Sequence, residues 1–290
     1  MTKILITGAN GQLGSEIRKS CDLFPDFSFV FTDLNELDIT SPSAVEAMLA
    51  EEKPQWLINC AAYTAVDKAE TEEETAWLIN AVAPAILAEK SKAVGCRFVQ
   101  ISTDYVFDGK NYRPYIEDDE VCPTSVYGST KLEGELISLT NNPETLVIRT
   151  SWLYSSFGSN FVKSMIKLGK ERDSLNVIFD QIGTPTYAGD LAEAILEIIR
   201  KTESGESEFI PGTYHYSNEG VCSWYDFALA IHHFYGINCA VNAIESKDYP
   251  SPVARPPYSV LNKSKIKSIF GIQIPYWRTS LEKCILEIKK

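Results

Sequence analysis

Apolar residues in this chain come in two patterns. The first is a short unbroken run, seen at 3–7 (KILIT), 27–32 (FSFVFT), 56–62 (WLINCAA), 97–102 (RFVQIS) and 145–150 (TLVIRT). A run with no polar face reads as a strand buried on both sides, as in a parallel sheet. The second pattern has apolar residues three or four apart, as in a helix. It follows Leu13 (with Ile17 and Cys21), fills 41–52 behind a Ser-Pro start and 76–94, and runs on from Tyr127 to Glu135. Strand and helix alternate throughout, which predicts a doubly wound α/β sheet with right-handed crossovers and helices on both faces.

Past residue 152 the alternation loosens. Helices are expected at 161–170, 188–201 and 281–289, and strands at 175–179 and 212–218. Ser223 and Asp226 have the spacing of a capping box for a helix ending near Tyr235. The expected division is 1–152 plus about 174–212 as a dinucleotide-binding domain, with about 153–173 plus 213–290 as a smaller, discontinuous C-terminal substrate lobe. That lobe would close over the C-terminal edge of the sheet. The polar stretch 108–124 is long for a connection inside a compact domain, a property of loops that carry function.

Composition narrows the partners. The 290 residues carry a net charge of -12, which argues against nucleic acid or an anionic membrane surface. Seven scattered cysteines without a Cys-x-x-Cys pattern suggest neither a disulfide framework nor a zinc site, and a reducing cytoplasm is the expected setting. No apolar run reaches membrane-spanning length, and the opening run is too short for a signal peptide. No metal is inferred from the histidines or cysteines.

The candidate chemistry begins where the first strand ends, at Gly8, Gly11 and Gly14. Glycines there let the backbone turn tightly and approach a pyrophosphate, which the N-terminus of the next helix would hold. The expected fold is therefore Rossmann-like. Asp33 ends the second strand about 20 residues on, where an acidic side chain holds ribose hydroxyls. No arginine follows it, which tilts the choice toward NADH over NADPH. Asp38 and Ile39 are candidates to flank the adenine.

Tyr127 and Lys131 fall one helical turn apart. A nearby ammonium stabilises a phenolate, so the pair is a candidate proton donor with its tuning cation. Thr103, at the end of the fourth strand, would orient a carbonyl oxygen. Trp152, Asn160 and Arg255 are candidates to meet a substrate across the cleft.

Together these residues resemble the extended short-chain dehydrogenases/reductases. The segments 61–70 (AAYTAVDKAE), 102–107 (STDYVF), 127–131 (YGSTK) and 149–152 (RTSW), with Arg255-Pro256, are similar to those of the dTDP-4-dehydrorhamnose reductase family. The resemblance runs nearly end to end. It implies NADH- or NADPH-dependent reduction of the 4-keto group of dTDP-4-dehydro-β-L-rhamnose, giving dTDP-L-rhamnose for surface polysaccharides. Tyr127 would then donate the proton, and Lys131 would hold the nicotinamide ribose. Thr103, Asp104 and Trp152 would line the sugar site. Gly11, Gln12, Leu13, Asp33, Asp38, Ile39, Ala62, Tyr63 and Thr64 would line the cofactor.

Tyr63 stands where relatives commonly have histidine. Some relatives are dimers joined through magnesium-bound glutamates. Glu16 matches one such position but Gly189-Asp190 stands at another, so homodimer and magnesium stay open. Related nucleotide-sugar dehydratases carry Glu where this chain has Tyr105, which disfavours dehydration. Two alternatives are an epimerase or reductase of another nucleotide sugar, and a non-catalytic subunit resembling the β subunit of methionine adenosyltransferase.

Overall fold

The computed structural model describes residues 1–290. Six parallel strands form its central sheet. Five are the apolar runs: β1 (Thr2–Thr7), β2 (Phe27–Phe31), β3 (Trp56–Asn59), β4 (Arg97–Thr103) and β5 (Thr145–Thr150). The sixth, Gly212–His215, lies outside β5. Across the sheet the order is Gly212–His215, β5, β4, β3, β1, β2. The chain passes from β1 to β2 on one side and then crosses back to β3 on the other side of β1, so a crevice opens at the carboxyl ends of the strands.

The unbroken apolar runs follow from having two buried faces. Ile4 and Ile6 pack on one face with Ile17 of α1 (Gln12–Lys19) and with Leu191, Ile195 and Ile199 of the Ala188–Glu203 helix. Leu5 points to the other face, among Val45, Leu49, Leu57 and Leu87. Register then aligns the polar strand ends: Thr7 sits opposite Asn59, and Thr103 opposite Thr150. The Thr7 hydroxyl donates to Asn59 at 2.6 Å and the Asn59 amide donates to Gln100 at 2.8 Å, a satisfied polar row beneath the crevice.

A second core gathers Tyr154, Val162, Met165, Val177, Phe227, Ile231, Trp277 and Leu281. Its membership corrects the expected division of the chain. Ser174–Ile178 pairs with Ala240–Ile244 in this second unit instead of joining the sheet. Conversely, Gly212–His215 is a sheet strand, and Ile266 and Phe270 of the Ser264–Phe270 helix pack against the sheet, although 213–290 was expected in the lobe. Both strands are short, and which partner each meets depends on residues far away in sequence.

The 108–124 loop is also corrected. It folds on Val106, Phe107, Tyr115 and Leu261, with Phe107 and Tyr115 stacked 4.2 Å apart, and contributes no residue to the crevice. The capping box at Ser223 and Asp226 forms as its spacing indicated. The expected helix 76–94 is instead Glu73–Trp77, a wider π turn at Leu78–Val82, and Ala83–Ala93. No helix is long and apolar enough to cross a membrane.

Candidate active site

A cleft of ≈ 1460 Å³ lies between the sheet edge and the second core. Gly11, Gln12, Leu13, Ala62, Thr64, Thr103, Asp104, Tyr127, Lys131, Trp152, Asn160 and Arg255 all line it. These come from segments far apart in the chain: most follow the carboxyl ends of the sheet strands, while Asn160 and Arg255 come from the opposite bank.

The glycines divide by task. Gly8 has φ +63, and a Cβ there would stand 2.5 Å from the Ala61 amide nitrogen; one on Gly14 would stand 2.6 Å from Ala9. Both permit packing of turn, strand and helix. Gly11 faces the cleft and precedes α1 without any side chain capping the helix start. Those first-turn N–H groups suit a pyrophosphate, so the turn fits a dinucleotide.

Asp33 ends β2 beside the turn, where its carboxylate accepts the Asn10 amide at 2.9 Å. Asp38 and Ile39 do not face the cleft: the Asp38 carboxylate accepts the Thr40 amide and hydroxyl, and Ile39 packs beside Leu37 and Val45. Tyr63 also turns away, its hydroxyl donating to Glu72 at 2.6 Å. Its backbone is held by Asn80, which accepts the Tyr63 amide at 2.9 Å and donates to the Tyr63 carbonyl and the Thr130 hydroxyl. Asn80 sits in the π turn, whose extra residue re-aims its side chain.

Tyr127 rides on the helix Val126–Asn141, capped by the Ser125 hydroxyl accepting the Gly128 amide at 3.1 Å. The helix is clamped to the sheet by a buried ion pair. The Arg149 guanidinium of β5 makes bidentate bonds to Glu135 at 2.7–3.1 Å. Burial pushes the Tyr127 phenol above its usual range, against the pull of the Thr103 hydroxyl beside it, while the Asp104 charge pushes further up. The Lys131 ammonium donates to the Ile101 carbonyl at 2.6 Å, and burial lowers its pKa to about 8. The expected acidification of Tyr127 by Lys131 is therefore corrected. The phenol is a proton-holding group here because desolvation outweighs its neighbours.

Asp104 is buried with its pKa raised to about 6, chiefly by desolvation. One carboxylate oxygen accepts the Thr103 hydroxyl at 3.1 Å and the nearby Ser259 hydroxyl pulls the pKa down, but the other oxygen makes no hydrogen bond within 3.5 Å, nor does the Ser102 hydroxyl. Unpaired buried groups in a cleft wall suit a polyhydroxylated ligand. Trp152 adopts φ +49, rare for a bulky residue, and its ring stacks on Trp224 at 3.5 Å.

Asn160 serves chiefly as a tie. It caps the Phe161–Glu171 helix, and its amide donates to Gln12 at 2.9 Å, joining the second core to the glycine turn. Arg255 donates to Asp67 at 2.8 Å and to the Tyr105 hydroxyl at 3.3 Å. Tyr105, Trp224 and the stretch 246–254, which opens with a 3₁₀ turn at Ser246–Asp248, line the cleft too and were not assigned to it from the sequence. The prolines at 250 and 252 were the available signal for that stretch, since they stiffen an extended chain.

The two positions linked by resemblance to magnesium are engaged within the chain: Glu16 accepts the Ser155 hydroxyl at 2.5 Å, and Asp190 is bound by Asn218 and Ser280. Nowhere do three metal-ligating side chains converge.

Comparison with known proteins agrees with this architecture. The family model "RmlD substrate binding domain" matches residues 1–290. A dTDP-4-dehydrorhamnose reductase of Aggregatibacter actinomycetemcomitans is 41% identical over 288 residues, covering 97% of this chain and 98% of that protein. Crystal structures of dTDP-4-dehydrorhamnose reductases superpose over nearly full length. The one from Clostridium acetobutylicum has TM-score 0.94 and 45% identity, covering 100% of both chains. The one from Bacillus anthracis, in complex with NADP, has TM-score 0.93 and 39% identity, covering 99% of this chain and 100% of that one. With fold, cleft and sequence in agreement over its whole length, the chain belongs to the dTDP-4-dehydrorhamnose reductase family.

Proposed function

We propose that this protein reduces the 4-keto group of dTDP-4-dehydro-β-L-rhamnose to give dTDP-L-rhamnose, using NADPH or NADH. The observation that carries the reading is the meeting of Tyr127, Lys131 and Thr103 in a cleft that also contains the uncapped start of α1. A dinucleotide whose pyrophosphate is held at that turn would supply the hydride to C4 from its nicotinamide. Tyr127 transfers its hydroxyl proton to the C4 oxygen as the alkoxide forms, and its raised pKa keeps that proton in place at neutral pH. The Thr103 hydroxyl, turning its one proton from Asp104 to the same oxygen, would hold it in line. The Lys131 cation, facing the same cleft, would hold the nicotinamide ribose. Asp104, with its free oxygen, accepts a sugar hydroxyl, and the Trp152 ring covers the apolar side of the sugar.

At the end of β2 the Asp33 carboxylate suits ribose hydroxyls and repels a 2′-phosphate, which favours NADH. Substrate and cofactor both belong to the cytoplasm, where we place the reaction. The test is oxidation of NADH and NADPH by the purified chain in the presence of dTDP-4-dehydrorhamnose. Turnover is expected, and Tyr127→Phe should lower kcat by about a hundredfold or more. Wild-type turnover in Tyr127→Phe would end this reading, as would absence of turnover with either cofactor.

A further inference from the structure

Tyr105 touches both the proton donor and the far bank of the cleft. Its ring meets Tyr127 edge-on, with centroids 5.4 Å apart and planes at 77°. Its backbone is fixed, because its amide donates to the Thr103 hydroxyl at 3.2 Å and its carbonyl abuts Gly128, where a Cβ would come within 2.3 Å. The Tyr105 hydroxyl oxygen accepts from Arg255, whose other nitrogen donates to Asp67.

Arg255 belongs to the 246–257 stretch, which forms much of the opposite bank. One end of this strap is pinned where Ser246 bonds Asp180 and Gln181, and the other where the Pro257 carbonyl accepts the Ile182 amide at 2.9 Å. Between these pins, the hydrogen bonds of Tyr249 and Ser251 stay inside the strap. The Arg255–Asp67 pair is partly exposed, so solvent screens it and it breaks easily. Seating of the strap therefore reports to Tyr127 through one guanidinium and one aromatic ring.

We propose that Tyr105 is a positioning residue: bound to Arg255, it links closure of the 246–257 strap to placement of the Tyr127 phenol. The inference rests on the reading of Tyr127 as proton donor. Tyr105→Phe keeps the ring and removes only the acceptor for Arg255.

With dTDP-4-dehydrorhamnose as substrate, Tyr105→Phe should lower kcat about tenfold, the scale of a small misplacement of a reacting group. KM for the sugar nucleotide should stay within about twofold. The isotope effect with deuterated nicotinamide cofactor should rise as hydride transfer becomes rate-limiting. Arg255→Met with Tyr105→Phe should be no slower in kcat than Arg255→Met alone, since both break one link.

Wild-type kcat with a raised KM in Tyr105→Phe would overturn the proposal in favour of simple binding. Multiplying effects in the double variant would overturn it as well. Should circular dichroism show Tyr105→Phe unfolded, Asp67→Asn, on the exposed side of the same link, carries the comparison; an unchanged isotope effect there refutes the coupling. Failure of this proposal is separable from failure of the reductase reading, which Tyr127→Phe tests alone.

Discussion

Asp104 is 3% exposed, and one of its oxygens lacks a partner. Burial lifts its pKa from 3.8 to about 6. Between those values the folded protein holds a proton that the unfolded chain releases, so stability falls as pH rises through that window and stays lower at pH 7. Asp104→Asn removes the charge. It should therefore stabilise the protein at pH 7 by up to about 3 kcal/mol and do little near pH 4. Thermal melts of both proteins at the two pH values check this; an equal shift at both would contradict it. Activity should fall in the same variant on the proposed function, in which that carboxylate accepts a sugar hydroxyl. The motif drew attention to Asp104, but the sequence says nothing about a missing hydrogen bond.

The helix Val126–Asn141 is placed by glycines as much as by Arg149. A Cβ on Gly134 would stand 2.1 Å from the Asn80 carbonyl, a backbone atom with little room to move. Gly134→Ala should cost about 1–3 kcal/mol through overpacking. Because Asn80 also holds the turn at Tyr63, KM for the nicotinamide cofactor should rise with the fall in Tm; a lower Tm with unchanged cofactor KM would separate helix packing from the turn. The elements that position the site were largely legible, since β1 through β5 are apolar on both faces and the helices keep a clear period. Legibility failed for Ser174–Ile178 and Gly212–His215. Their local patterns fit a strand in either unit, and partner choice is a long-range matter. At Asp38 and Tyr63, one carboxylate oxygen accepts from Thr40 and the phenol donates to Glu72, because motif position fixes the backbone and leaves the side chain's direction to its neighbours.

The sheet, packed on both faces, is joined to the second core by polar ties from Asn160 to Gln12 and from Ser155 to Glu16. After leaving the sheet core near Trp152, the chain returns to it with the Ala188–Glu203 helix and the Gly212–His215 strand, and again with Ile266 and Phe270. The C-terminal helix Trp277–Ile288 then ends in the second core. Neither core is built from one uninterrupted stretch, so heating should give a single transition by near- and far-ultraviolet circular dichroism. Added NADPH, which binds at the sheet edge, should raise that whole transition. Two separated melts, with only one responding, would show the cores to be independent. The interleaving also bears on how substrate preference can diversify among such enzymes. The cleft wall opposite the sheet draws on residues within 152–165, 176–181, 224–227 and 246–257, so no single segment exchange carries all of it. New specificities must accumulate by scattered point changes while the shared scaffold stays intact.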